Sequence, residues 1–445
     1  MTDDPLVLGL DLGSSRLKAV LVGRDGRTVL THAVPTPFVA ADGGAQMTPR
    51  TLFAAVGELL AGLGGMRARV AGVGVASMGE CGAFVAGGGA VEEPMPAWYD
   101  ARGADTAEAL RRHFGPDLDR RIGRPLRAAT TVAKLGWLRE HGYRADGDWL
   151  GVAALVAWRL TGARAGEPSL AATTGAFDPV ERRYLPEVLA AAGLDGVRFA
   201  KPRTAGERVG EVIPAGAAWS GLPPGVPVTL AGHDHLVGAI GAGAGPDDLV
   251  DSMGTGEPVV AFLAADAVDR DKILDRGLTL SCRPGGDRVA VMYESLLPGR
   301  VLARLAALLG AGPAEMDARA LAWPDTIPDP FVEALVDDPD AALGAVPPLP
   351  PERLWAGALA VLARRAADAV DVLRLAGART DRMVLIGGGT ASGAWLAAKR
   401  RAVAMPLVRA HTAEAVARGA ALFGGVAGGW WPAAEAAPSP EVSSV

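Results

Sequence analysis

An aspartate lies between two histidines in Ala231-Gly232-His233-Asp234-His235, directly after the apolar run Val226-Pro227-Val228-Thr229-Leu230 and ahead of small residues that continue toward Gly243. A carboxylate so placed has two readings. It caps the helix that follows, as aspartate often does, or it acts as a general base toward an alcohol, orienting the hydroxyl and taking its proton. His233 and His235 would tune such a base, bond its substrate or serve the structure. Near the amino terminus, Asp11-Leu12-Gly13-Ser14-Ser15 interrupts an apolar run that resumes at Leu17, and Ser252-Met253-Gly254-Thr255-Gly256 interrupts a second run in the same manner. A small polar turn between two strands gathers backbone N–H groups and hydroxyls, so two such turns facing across a cleft would hold a polyphosphate. Each taken alone is an ordinary hairpin. The first turn has Asp11 where the second has Ser252, an asymmetry suited to a single Mg²⁺–phosphate site.

A third signal is Gly387-Gly388-Gly389, which follows the apolar Met383-Val384-Leu385-Ile386 and precedes a helix from about Ser392. Strand, glycine turn and helix N-terminus together suit the flat face of a nucleotide or an anionic group, because glycine permits close approach and orphan amides gather there. The spacing is neither that of the dinucleotide fingerprint nor that of the P-loop.

These groups need a frame of strands and helices. Leu6 to Leu10, Leu17 to Val22 and Thr28 to Val34, joined at Asp11–Ser15 and Asp25-Gly26, read as a meander of about three strands. Ala54 to Leu63, Ala104 to Phe114 and Glu352 to Leu375 carry helical spacing. A chain of 445 residues exceeds what one hydrophobic core usually organises and predicts two domains of roughly 200 residues with a cleft between them. With 49% apolar and 21% charged residues and a formal net charge of −6, the chain has the composition of a globular protein without a broad basic footprint for nucleic acid. Cys81 and Cys282 are too few for a disulfide framework or a four-cysteine zinc site, and a reducing cytoplasm is the expected location. The acidic start, and the absence of an apolar run of about 20 residues, predict neither export nor membrane spanning. Pro432 to Val445 reads as a flexible tail.

Taken in order, Asp11-Leu12-Gly13-Ser14-Ser15 with Lys18, Gly232-His233-Asp234, Gly254-Thr255 and Gly387-Gly388-Gly389 with Trp395 resemble the FGGY family of carbohydrate kinases, over about residues 6 to 429. Glu414 to Leu422 is similar to that family's closing helix. The resemblance implies an α/β fold of two ribonuclease-H-like, actin-like ATPase domains, residues 1–244 and 245–431, with 432–445 as the tail. It implies ATP and Mg²⁺ in the cleft, with a small sugar or polyol as acceptor, a ketose or sugar alcohol by preference. No nucleic acid and no membrane are expected as partners, and a homodimer is an assembly the sequence allows. Asp11 would hold the metal and Asp234 would be the base. Gly13, Ser14, Ser15, Lys18, Gly254, Thr255, Gly387, Gly388, Gly389 and Ser392 would bind ATP.

The family places a polar pair that touches the sugar where Gly79-Glu80 stands here, and a tryptophan–acid–arginine segment where Trp98, Asp100 and Arg102 stand. Glu80, Trp98, Asp100, Arg102, His233 and Asp234 are thus the substrate candidates. A carboxylate accepts two hydroxyl hydrogen bonds, and an indole packs on the C–H face of a sugar. A solvated loop for Glu80, core packing for Trp98 and a local ion pair for Asp100 with Arg102 are the alternatives. Gly79 departs from the arginine of glycerol kinases, and Gly79-Glu80 from the Met-His of typical xylulose kinases. Ala397 and Arg401 depart from the family's adenosine side. A non-catalytic ATP-binding switch of the same architecture, or an ATP hydrolase, are the rival classes.

Overall fold

The amino-terminal apolar run forms the strand Leu6–Leu12, buried along its whole length. Both of its faces are covered. Leu6, Leu8, Leu10 and Leu12 pack with Leu52, Val56 and Leu59 and with Val152–Leu160, while Val7 meets Val20, Val22, Ala417 and Ala421. This period-two division of one strand between two helical layers is what a continuous apolar run in a covered sheet produces. The computed structural model describes residues 4–41, 44–254, 256–323, 330–338, 349–412 and 414–445.

Leu6–Leu12, Arg16–Val22 and Thr28–Pro35 form the expected antiparallel meander. Val70–Ser77 adds in parallel beside Leu6–Leu12, Pro227–His233 adds in parallel beside that, and Gly210–Glu211 closes the six-stranded sheet. A seven-stranded sheet repeats the plan. Leu249–Ser252 pairs antiparallel with Val259–Leu263 and parallel with Met383–Ile386, which pairs in parallel with Leu407–Ala410. The chain is thus a mixed α/β protein with two large sheets whose central strands match: an antiparallel pair, then two strands added in parallel beside the first of that pair. Each has its own core, the second packed around the 25-residue helix Pro351–Leu375.

Helix Pro49–Ala61 begins five residues before the expected Ala54, because Thr48 caps it through Thr51 and Pro49 starts its first turn. Helix Ala415–Ala427, assigned by chain order to the second half, lies on the first sheet. A Cβ on Gly9 would come within 1.8 Å of Ala417 O, and one on Gly74 within 1.8 Å of Ala420 O, so glycines in the strands let this helix approach. The tail expectation is corrected. Val442–Ser444 pairs with Leu407–Ala410, Ala434 and Ala437 are buried, and Pro438 O accepts the Arg418 guanidinium at 2.6 Å. An open sheet edge and a buried guanidinium needing acceptors order a segment whose composition alone reads as frayed. Among the described residues no helix is long and apolar enough to cross a membrane.

Candidate active site

Three neighbouring parallel strands deliver the first group of side chains. In register, Leu12 pairs with Ser77 and Ser77 with His233. The residues that end or follow these strands, Asp11 with Gly13–Ser15, Glu80, and His233 with Asp234, therefore emerge at the same carboxyl edge, where open α/β sheets bind ligands. A cleft of about 280 Å³ is lined there by Asp11, Gly13, Ser14, Ser15, Lys18, Asp234 and His235, and across it by Ser252 and Ile386 of the second sheet.

Asp11 is 6% exposed. Burial, followed by the charge of Asp234, pushes its carboxyl up to about 7, against the pull of Lys18. Lys18 stands opposite Asp11 in the hairpin register, with its Nζ 4.0 Å from Asp11 Oδ2 and 2.6 Å from Glu414 Oε2. The Gly13–Ser15 turn is held by Thr36, which donates its hydroxyl to Gly13 O at 2.6 Å and its N–H to Ser15 O at 3.2 Å. That leaves the turn's serine hydroxyls free of bonds to their own loop.

Asp234 is the first residue of helix Asp234–Gly241, with His233 in the cap position. Its Oδ1 accepts the N–H of the adjacent His235 at 2.7 Å, so the capping geometry toward the second or third amide is not the one adopted. The Nε2 atoms of His233 and His235 each lie 3.4 Å from the same Oδ1. Burial lowers the His233 imidazole to about 4, keeping it neutral beside the carboxylate. The turn is anchored from behind: His233 N donates to Ser169 Oγ at 2.8 Å, and Ser169 donates to buried Glu167.

Glu80 is among the few non-glycine residues with a left-handed backbone, at φ +59°, a conformation that costs of order 1 kcal/mol or more and clusters at functional sites. Its N–H donates to Thr173 Oγ1 at 3.2 Å, which fixes the turn. Its carboxylate is largely buried, not solvated in a loop, with Oε1 3.8 Å from Arg124 Nη1. Burial raises it to about 7 despite Arg124 and Lys134, with Glu294 and Asp234 adding to the rise. Glu294 differs. Burial works against its charge, but Arg124 and the Thr279 hydroxyl at 2.6 Å hold it below the usual carboxylate range.

The other substrate candidates divide. Asp100 and Arg102 satisfy each other, Arg102 Nη2 lying 2.7 Å from Asp100 Oδ2, and they fasten Ala45 and Gln46 to the Met95–Pro96 edge. They form the local ion pair. Trp98 is 44% exposed with its ring against Tyr99, in neither the core nor the cleft lining. Arg124, Lys134 and Glu294 are the residues that sequence reading missed; no motif marks them, because what distinguishes them is burial beside Glu80.

In the second half, Gly387 has φ +92° and a Cβ there would sit 2.7 Å from Met253 O, whereas Gly388 meets nothing within 4 Å. The first of these glycines is needed for packing against the Ser252 turn. The second leaves open space of the kind a ligand face can use. Ser392 Oγ accepts Trp395 N at 3.0 Å and so caps helix Gly393–Ala402. Gly254 is exposed at the turn, and Thr255 lies outside the described residues. Behind the turn, Lys399 is fully buried against Asp251 and Glu257.

Residues 6–241 match the model of the FGGY family of carbohydrate kinases, N-terminal domain. An L-fuculokinase of Salmonella typhi is 30% identical over 261 residues, 57% of this chain and 55% of that protein. The chain thus spans about half the length of the L-fuculokinases it matches. A xylulose kinase of Streptomyces coelicolor is 28% identical across 94% of this chain and 87% of its own. Among solved structures, the xylulose kinase from Rhodospirillum rubrum superposes with a TM-score of 0.80 at 24% identity, covering 96% of this chain and 92% of that one, a likeness of fold. Since the matched model takes in more than half of the sequence, including the Asp11, Glu80 and Asp234 edge, the chain belongs to the FGGY family of carbohydrate kinases.

Proposed function

We propose that the protein transfers the γ-phosphoryl group of Mg-ATP to a hydroxyl of a small sugar or polyol, a ketose or sugar alcohol by preference. The supporting observation is that Asp234 shares one cleft with Asp11, the Gly13–Ser15 turn and, from the facing sheet, Ser252. Asp234 Oδ takes the proton of the acceptor hydroxyl. The resulting oxygen attacks the γ-phosphorus, and the bond to the departing ADP oxygen breaks. Neutral His233 and half-exposed His235 flank the carboxylate and hold it toward the cleft. Buried Asp11, beside Asp234 and balanced by a single partly shared lysine, is a carboxylate with capacity for a divalent cation. Mg²⁺ held there would neutralise charge on the phosphates. Gly13, Ser14, Ser15, Lys18, Gly254 and Thr255 would receive the phosphates, and Gly387–Gly389 with Ser392 the adenosine side. The two matching sheets would be the ribonuclease-H-like domains of an actin-like ATPase, 1–244 and 245–431, with helix Ala415–Ala427 packed back on the first. Both cysteines are free and buried, as suits a reducing cytoplasm.

The test is ADP release from Mg-ATP across ketoses, aldoses and polyols, run beside Asp234→Asn. The expected result is a sugar-dependent signal that falls by about 10²–10⁴ in the variant while nucleotide binding is kept. Normal turnover in Asp234→Asn removes it from the base role. ATP turnover indifferent to every sugar, or a flat panel, overturns the kinase reading in favour of a hydrolase or an ATP-binding switch.

A further inference from the structure

Arg124 follows Gly123, the left-handed C-cap of helix Pro116–Ile122, and reaches the seam between the two halves. Gly123 O accepts Leu280 N at 2.6 Å, and Thr279, next to Leu280, holds Glu294. The Arg124 side chain is 11% exposed, and its guanidinium sits beside Glu80 without closing a hydrogen bond, at 3.8 Å. Its Nε and Nη2 are buried and have no partner. Arginine carries five donors that cannot be deprotonated, and leaving buried ones unmade is costly. The charge itself is compensated, since Glu80 and Glu294 both feel it. What Arg124 lacks is acceptors and not counter-charge.

We propose that Arg124 is a specificity-determining residue of the acceptor pocket, donating to an uncharged oxygen of the substrate, and that the pocket takes neutral polyhydroxy compounds and rejects sugar acids. The proposal rests on the kinase reading given above and names the substrate class of that same site. Glu80 has Arg124 at 3.8 Å and the Lys134 ammonium on its backbone oxygen at 3.5 Å, and it feels the negative charges of Glu294 and Asp234 as well. A further carboxylate, brought by the substrate, would be desolvated beside these largely buried acids, whose neighbouring cations they already share. A carbonyl or hydroxyl oxygen fills the empty donor positions at no such cost, and the acids in turn accept its neighbouring hydroxyls.

The experiment measures ADP release with D-xylulose and L-fuculose as neutral acceptors and D-gluconate and D-galacturonate as acids, for the wild type, Arg124→Gln and Arg124→Lys. A neutral sugar is expected to be used and the acids not. Arg124→Gln is expected to raise the KM of that sugar about 10- to 100-fold, the weight of one charge-assisted hydrogen bond, leaving kcat and the KM of ATP within about 3-fold. Arg124→Lys, which keeps the charge and loses the fork, should fall between the two. A purely structural role would move kcat and the ATP constant as well, and that pattern, an unchanged sugar KM, or a preference for an acid overturns the inference alone. A wild type silent toward every compound overturns the kinase reading beneath it.

Discussion

Lys399 shows how much a single side chain can hold. Its ammonium is fully buried between Asp251 and Glu257, the residues on either side of the second polar turn. Burial works against its charge, yet the two carboxylates outweigh that and hold it above its ordinary value. Glu257 is pushed well up by burial and by Asp251. Removing the cation strands two buried acids, so Lys399→Met should cost about 3–5 kcal/mol. In a domain of this size that is about 10 °C in Tm, readable by calorimetry. A loss under about 1 kcal/mol would put the triad in the class of surface pairs. No sequence signal marks Lys399, whose neighbours Arg400 and Arg401 are charged as well. Arg124 was equally silent. Asp11, Glu80 and Asp234 were legible because each stands near the end of an apolar strand or shortly after one, which fixes where it emerges, whereas the burial of a cation depends on what a distant segment lays over it.

At the scale of elements, the turn bearing Asp234 is positioned by a four-residue helix, Pro168–Ala171, that no sequence reading singled out. Glu167 caps it, accepting Ser169 N at 2.8 Å and Leu170 N at 3.1 Å, and Ser169 passes the constraint to His233 N. Burial nonetheless drives Glu167 up to about 7, ahead of the lowering by those hydrogen bonds. The folded protein therefore binds this proton more tightly than the unfolded chain, whose glutamate titrates near its ordinary value of 4.5. Stability from this group is fully present below pH 4.5 and lost as pH rises through about 7, a difference of about 3 kcal/mol. Glu167→Gln should remove that slope, so its Tm relative to the wild type rises between pH 5 and pH 8. A constant offset across that range would show that Glu167 ionises without cost. The larger elements were plain from periodicity: Met383–Ile386 and Ala104–Phe114 fall where the pattern puts them. The start of helix Pro49–Ala61 and the strand Val442–Ser444 were not, since one depends on a cap outside the apolar pattern and the other on a pairing partner some 30 residues away.

Across the whole molecule, the two halves meet along a polar seam near Arg124 and Glu294. Arg270 of the second half grips Asp178 of the first through two bonds at 2.7 and 2.9 Å, and its other nitrogen donates to Arg120 O and Arg121 O at 3.0 Å. Arg182 donates to Gly286 O at 2.6 Å, and Leu280 N reaches Gly123 O. Opening the cleft on this side would mean giving these bonds up. Closure that excludes water before transfer is expected of phosphoryl transfer to an alcohol, where water is a competing acceptor. Ligands that bridge the halves, as a sugar between Glu80 and Glu294 would, shift the balance toward closure only by their differential affinity for it. The Arg270–Asp178 pair, in which one guanidinium nitrogen donates to both oxygens of a carboxylate 3% exposed, should contribute to the same balance. Losing it is worth on the order of 10- to 100-fold toward the open form. Small-angle scattering of the wild type and Arg270→Ala, each alone and with an accepted sugar plus a non-hydrolysable ATP analogue, reads the balance directly. The radius of gyration, about 22 Å for a closed chain of this length, should be larger in unliganded Arg270→Ala than in the unliganded wild type. Sugar and nucleotide together should bring both to the same compact value. If the two proteins scatter alike in every state, the seam bears no part of the opening, and access to Asp234 must come from movement of smaller segments around a fixed pair of sheets.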